Sequence, residues 1–154
     1  MKRSIIIGML FMLALGVKAQ TTDDINFFQS IWGMEKRAIV ESYMDLSEAD
    51  ATAFWPEYEA YEESRKELGK DRVMILEDYA KNYATLNDEK AHELVNGTVA
   101  NNMGHQKLLK KTYKKMSKSV GAVKAAKFVQ LENYFITMIQ MTISENIPFV
   151  IDAN

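Results

Sequence analysis

The sequence predicts an all-α protein: four main helices, long antiparallel helical hairpins forming an elongated bundle or cradle. Three observations point there. Apolar residues recur at four-and-three spacing over long segments, alternating strand-type runs are nearly absent, and glycine and proline number only 7 and 2 in 154 residues. Four-three spacing keeps one narrow face apolar over many turns and favours the small crossing angles of bundles and antiparallel coiled coils.

The chain opens with Lys2 and Arg3, an apolar run from Ile5 to Val17, and Val17-Lys18-Ala19. A charged start, a short apolar stretch and small residues before a cut are the marks of a secretory signal peptide over 1–19. The run is too short to span a bilayer as a helix. Residues 20–154 are then expected to form a single helical domain. The first helix is expected from about Asp23 to Met44, with Ile25, Phe28, Trp32, Ile39 and Tyr43 on one side. Ser47 with Asp50 resembles a capping box for the second helix. That helix carries Phe54, Tyr58, Tyr61, Arg65, Leu68, Arg72, Ile75 and Tyr79 in one arc, with Glu59, Glu63, Glu67, Glu77 and Asp78 opposite. Pro56 lies inside it, deprives the Thr52 carbonyl of its donor and is expected to bend it. Asn87, followed by Asp88 and Glu89, suits the start of a third helix. The third helix shows Leu109, Tyr113, Met116, Val120 and Val123. The fourth shows Phe128, Leu131, Phe135 and Met138. Gly121 separates the two, and Pro148 ends the last.

Composition excludes several functions. There is no cysteine, so disulfides, thiolate metal sites, thiol catalysis and the acylated cysteine of a lipoprotein are all ruled out. Loss of residues 1–19 removes Lys2, Arg3 and Lys18 and no acid, which moves the formal charge from −2 to −5. A mildly acidic chain is not built for nucleic acid. Export without a stable membrane anchor places the expected product in the periplasm as a soluble protein. Charge is segregated within it. Residues 41–93 hold 15 acids and 6 bases, and residues 94–132 hold 8 lysines and 1 acid. The run Lys107, Lys110, Lys111, Lys114, Lys115 and Lys118 lies opposite the apolar stripe of the third helix. A solvated face explains it, and an anionic partner is the alternative.

Motifs for chemistry are missing. His92 and His105 fall on nearly opposite helix faces and have no partners at metal-box spacing. There is no HExxH, phosphate loop or nucleophile elbow. No catalytic residue, metal ligand or cofactor is therefore expected, and the chain is read as a non-enzyme. Asn96-Gly97-Thr98 fits a glycosylation sequon. Arg65 and Arg72 stand out, because a sealed core does not welcome guanidinium groups. Either their stems pack while the heads reach water or an acid on a neighbouring helix, or the stripe stays wet and binds other chains through Phe54, Tyr58, Tyr61, Arg65 and Arg72.

A weak echo links Leu46-Ser47-Glu48-Ala49-Asp50-Ala51, followed by Phe54, with Val120-Gly121-Ala122-Val123-Lys124-Ala125, followed by Phe128. Similar helix starts explain it, as does a degenerate repeat. Leu46-Ser47 opening a helix resembles the Spy/CpxP family of periplasmic helical proteins, whose signature is a repeated Leu-Thr-x-x-Gln. Asp50 and Lys124 stand where that signature has Gln. The segment Ala51-Thr52-Ala53-Phe54-Trp55-Pro56-Glu57-Tyr58-Glu59-Ala60-Tyr61 resembles the Phe-Trp-Pro block of a divergent branch, labelled as sensors linked to extracytoplasmic-function sigma factors. Lys124 to Glu132 resembles its second block, and the similarity spans residues 40–145. The resemblance implies a helical cradle, often an antiparallel dimer, that holds unfolded proteins without ATP or serves as an envelope-stress adaptor. Its alternative is a regulatory sensor of a sigma-factor or metal-stress response. The partners implied are unfolded or partner proteins, with a homodimer left open.

Overall fold

The computed structural model describes residues 22–150, with side chains described from Trp32. The expected signal peptide lies outside the described residues, as do the side chains of Ile25 and Phe28. The protein is all-α. Helix α1 is Thr22–Met44, α2 is Glu48–Asn82, α3 is Asp88–Ser119 and α4 is Ala122–Asn146. A short 3-10 turn, Tyr83–Thr85, follows α2. There is no strand among the described residues. Two compact units are distinguished. One holds most of α1 with the chain from Phe128 onward, and the other holds Tyr43–Lys127.

In the second unit α2 and α3 form a long antiparallel hairpin. As residue numbers rise along α2 they fall along α3. Glu57 meets Lys115 at 3.3 Å, Arg72 meets Asn101 at 3.1 Å, and Asp78 meets Lys90 at 3.2 Å. Small residues let the helices approach. A Cβ on Gly104 would sit 2.9 Å from Leu68 Cδ2, and one on Gly97 would sit 3.6 Å from Ile75. Asn101 fills the space between these glycines and is itself buried. Its Nδ2 donates to the Leu68 carbonyl at 2.8 Å.

The punctuation follows from local chemistry. Asp45 takes a positive φ of 48°, the left-handed stop after α1. Ser47 Oγ accepts from the Asp50 amide at 3.3 Å and donates to its carboxylate at 2.6 Å, so aspartate stands in for the usual Glu of a capping box. Asn87 Oδ1 accepts from the Lys90 amide at 2.9 Å and caps α3. Helix α2 runs through Pro56 to Asn82. Gly121 turns the chain at φ +90°, with nothing within 4 Å of where a Cβ would lie. Gly121→Ala therefore acts through backbone strain alone. A loss of about 1–2 kcal/mol is expected in denaturant unfolding.

In the first unit α1 and α4 also pair antiparallel. Trp32 packs edge-on to Phe135 with centroids 6.0 Å apart, and Lys36 reaches Glu132. The inward series on α1 within this unit is Lys36 and Val40, both buried, with Trp32 one turn earlier. Ile39 and Tyr43, expected on the inner side, are 37% and 40% exposed. A buried lysine at position 36 rotates the inner face away from them. Val123, read as a continuation of the α3 stripe, is also exposed, because Gly121 ends that stripe and redirects the chain.

Candidate functional site

The aromatic stripe of α2 is interior at its N-terminal half. Phe54 is 0% exposed and Tyr58 and Tyr61 are 2% exposed. Phe54 lies 5.2 Å from Trp55, edge-on, and stacks with Tyr58 at 6.0 Å. Arg65 is buried too. Its Nε and Nη2 fork onto the two carboxylate oxygens of Glu62 at 2.9 and 3.0 Å, one turn back on the same helix. Its cation is thereby neutralised without leaving the interior.

Arg72 is half-buried. Nε donates to Asn101 Oδ1 at 3.1 Å and Nη2 to Asn102 Oδ1 at 2.6 Å, both on α3. Burial pushes its guanidinium below its ordinary pKa. The structure thus joins Phe54, Tyr58, Tyr61 and Arg65 as core and makes Arg72 a cross-helix clamp. An open client-binding strip of these five residues is not present in the folded chain. The physical reason is that an intrahelical carboxylate and two amides satisfy the guanidiniums, so the stripe closes over them.

The two echoing segments come together. Asp50 and Lys124 hold the same place in each, and their side chains pair at 2.9 Å. The Ser47 hydroxyl, and after it Lys124, hold the Asp50 carboxyl below its ordinary value. Lys127 Nζ donates to the Met44 carbonyl at 3.1 Å and lies 5.0 Å from the Tyr43 ring centroid, which closes the end of α1.

The surfaces that remain open are elsewhere. On α4 the chain from Phe128 to Ser144 has one charged residue, Glu132, and it is buried. Its solvent side presents Gln130, Asn133, Tyr134, Thr137, Gln140 and Met141. Tyr134 is 59% and Met141 60% exposed. A helix face that long without a formal charge is unusual in a chain in which 26% of residues are charged. On α3 the solvent side between Val95 and Met103 is likewise uncharged, with Val95, Val99 and Met103 each at least half exposed beside Asn96 and Thr98. Nothing in the stripe periodicity marked either face, because both lie opposite the stripes that form the core. The signal available was the lack of lysine and glutamate where a solvated face normally carries them.

Among the described residues no three His, Asp or Glu side chains converge as a metal-binding group. No described helix is long and apolar enough to cross a membrane. No family model, curated protein or solved structure matches this chain.

Proposed function

We propose that this chain is an exported, ATP-independent protein-binding module, chaperone-like or an envelope-stress adaptor, that holds partly unfolded polypeptide on the outer face of α4. One observation carries the proposal: the solvent side of Phe128–Ser144 has no formal charge and displays Tyr134 and Met141. Recognition surfaces are depleted of charge at their centres and enriched in aromatic residues and methionine. Methionine is flexible and polarizable, so one surface can fit many sequences. The neighbouring amides and hydroxyls of Gln130, Asn133, Thr137 and Gln140 can pair with an unfolded backbone. The resemblance to periplasmic helical chaperones agrees with this reading. The site it takes is α4 and not the buried tyrosines of α2.

The test uses residues 20–154 and reduced, carboxymethylated α-lactalbumin as an unfolded ligand. The protein is expected to bind it, and to slow light scattering by a heat-unfolding reporter, without nucleotide. Tyr134→Glu with Met141→Glu is expected to weaken binding by about tenfold or more, through charge placed in an uncharged contact, with helix content unchanged. Unaltered binding by that variant would remove α4 from the site. Failure of the unmodified protein to bind any unfolded chain would remove the function.

A further inference from the structure

We infer that α3 carries a lysine face that holds the protein reversibly against an anionic lipid surface. The inference stands apart from the proposed α4 site and does not use it. Lys107, Lys110, Lys111, Lys114, Lys115 and Lys118 are all exposed. At roughly 100° per residue they occupy an arc of about 140°, over a rise of about 16 Å. The buried Leu109, Thr112 and Met116 mark the other side of the same turns. From Gln106 to Ser119 every exposed residue except those two ends is a lysine. No acid interrupts the chain from residue 94 to residue 131. Lys115 meets Glu57 at 3.3 Å, with its own side chain 51% exposed. Among the described residues Lys107, Lys110, Lys111, Lys114 and Lys118 have no ion-pair partner.

The chemistry of this face selects its occupant. On α2, Lys70 and Lys81 sit beside Glu67 and Glu77 of their own helix, at 2.9 and 3.9 Å. On α3 the lysines stand three and four residues from one another with no acid between them. Like charges at those spacings weaken the helix that carries them, so a solvated surface alone gives no reason for the pattern. A protein partner is gripped through an apolar or aromatic centre, and no exposed apolar residue lies among these lysines. No arginine occurs from residue 94 to residue 132 to fork onto a single phosphate. A convex ridge of point charges instead matches a broad plane of negative headgroups, where each lysine near the surface strengthens adsorption about fivefold. Residues 20–154 carry a formal charge of −5, so such a plane repels the rest of the protein and the lysine face fixes which side approaches. The contact is peripheral and salt-sensitive, since no described helix is long and apolar enough to cross a membrane.

The experiment is sedimentation of residues 20–154 with sucrose-loaded vesicles, of phosphatidylcholine alone or of phosphatidylcholine mixed with phosphatidylglycerol. That chain keeps every described residue and leaves out the apolar start, which would itself enter a bilayer. The protein is expected to sediment with the anionic vesicles and to stay free of the neutral ones. Raising salt from about 0.1 M to about 1 M, which shortens screening from about 10 Å to about 3 Å, is expected to release it. Lys110→Gln with Lys114→Gln and Lys118→Gln is expected to lower partition by roughly a hundredfold, with helix content by circular dichroism unchanged. Lys66→Gln with Lys70→Gln and Lys81→Gln makes the same change of net charge on α2, and is expected to lower partition by less than about threefold. Absence of the protein from both pellets would overturn the inference. So would equal sedimentation with neutral vesicles, an α3 variant that binds like the unmodified chain, or an equal loss in the α2 variant. If soluble glycerol phosphate displaces the protein at constant ionic strength, the face is a discrete phosphate site and the inference is wrong. If the protein ignores vesicles yet binds poly-glutamate through the same lysines, the face serves acidic polypeptides and the inference is likewise wrong.

Discussion

Lys36→Met is expected to destabilise the first unit by about 3–5 kcal/mol, as is Glu132→Leu, whereas the two together are expected to fall within about 1 kcal/mol of the unmodified protein or above it. Lys36 and Glu132 side chains are each only 1% exposed, and the ammonium lies 2.7 and 2.8 Å from the two carboxylate oxygens. Lys36 Nζ is also 5.4 Å from the Phe135 ring centroid. Removing one member takes from the other a close ion partner that it holds out of water. Removing both replaces the pair with apolar volume of similar size. Urea unfolding of the two single variants and the double variant measures the coupling. Single variants as mild as a surface lysine replacement, about 0.5 kcal/mol, would show that the pair is not interior.

Phe54→Ala is expected to cost about 3–5 kcal/mol, because it empties a site that is fully buried against Trp55 and Tyr58. On an open binding strip the same change would cost less than about 0.5 kcal/mol and would lower affinity instead. Thermal unfolding and polypeptide binding, measured on the same sample below its transition, separate the two cases. The core assignment requires a lowered transition with binding intact.

Helix positions were legible because their causes are local. The Ser47–Asp50 and Asn87 caps and the Gly121 break need only neighbouring residues, and Phe128, Leu131 and Phe135 follow from spacing alone. What was not legible depends on partners distant in sequence. Nothing in the α1 pattern reveals that Lys36 turns inward, because its reason is Glu132, 96 residues on. Arg65 and Arg72 are anomalous in an apolar stripe, and their resolution differs. Arg65 closes onto Glu62 within one turn, and Arg72 needs the amides of α3. The reading of α2 as an open strip failed at that point: two guanidiniums in an apolar stripe imply satisfied polar groups as readily as a wet surface. The outer face of α3 between Val95 and Met103 and that of α4 leave no mark in the periodicity for the opposite reason. Periodicity finds what a helix buries, and these faces are distinguished only by the charges they lack.

Hydroxyl-radical footprinting of the protein with and without an unfolded polypeptide tests the placement of the binding face most directly. Tyr134 and Met141 are expected to lose reactivity when the polypeptide is added, while the buried Tyr58 and Tyr61 stay unreactive in both samples. Undiminished labelling of Tyr134 and Met141 at saturating polypeptide would contradict it.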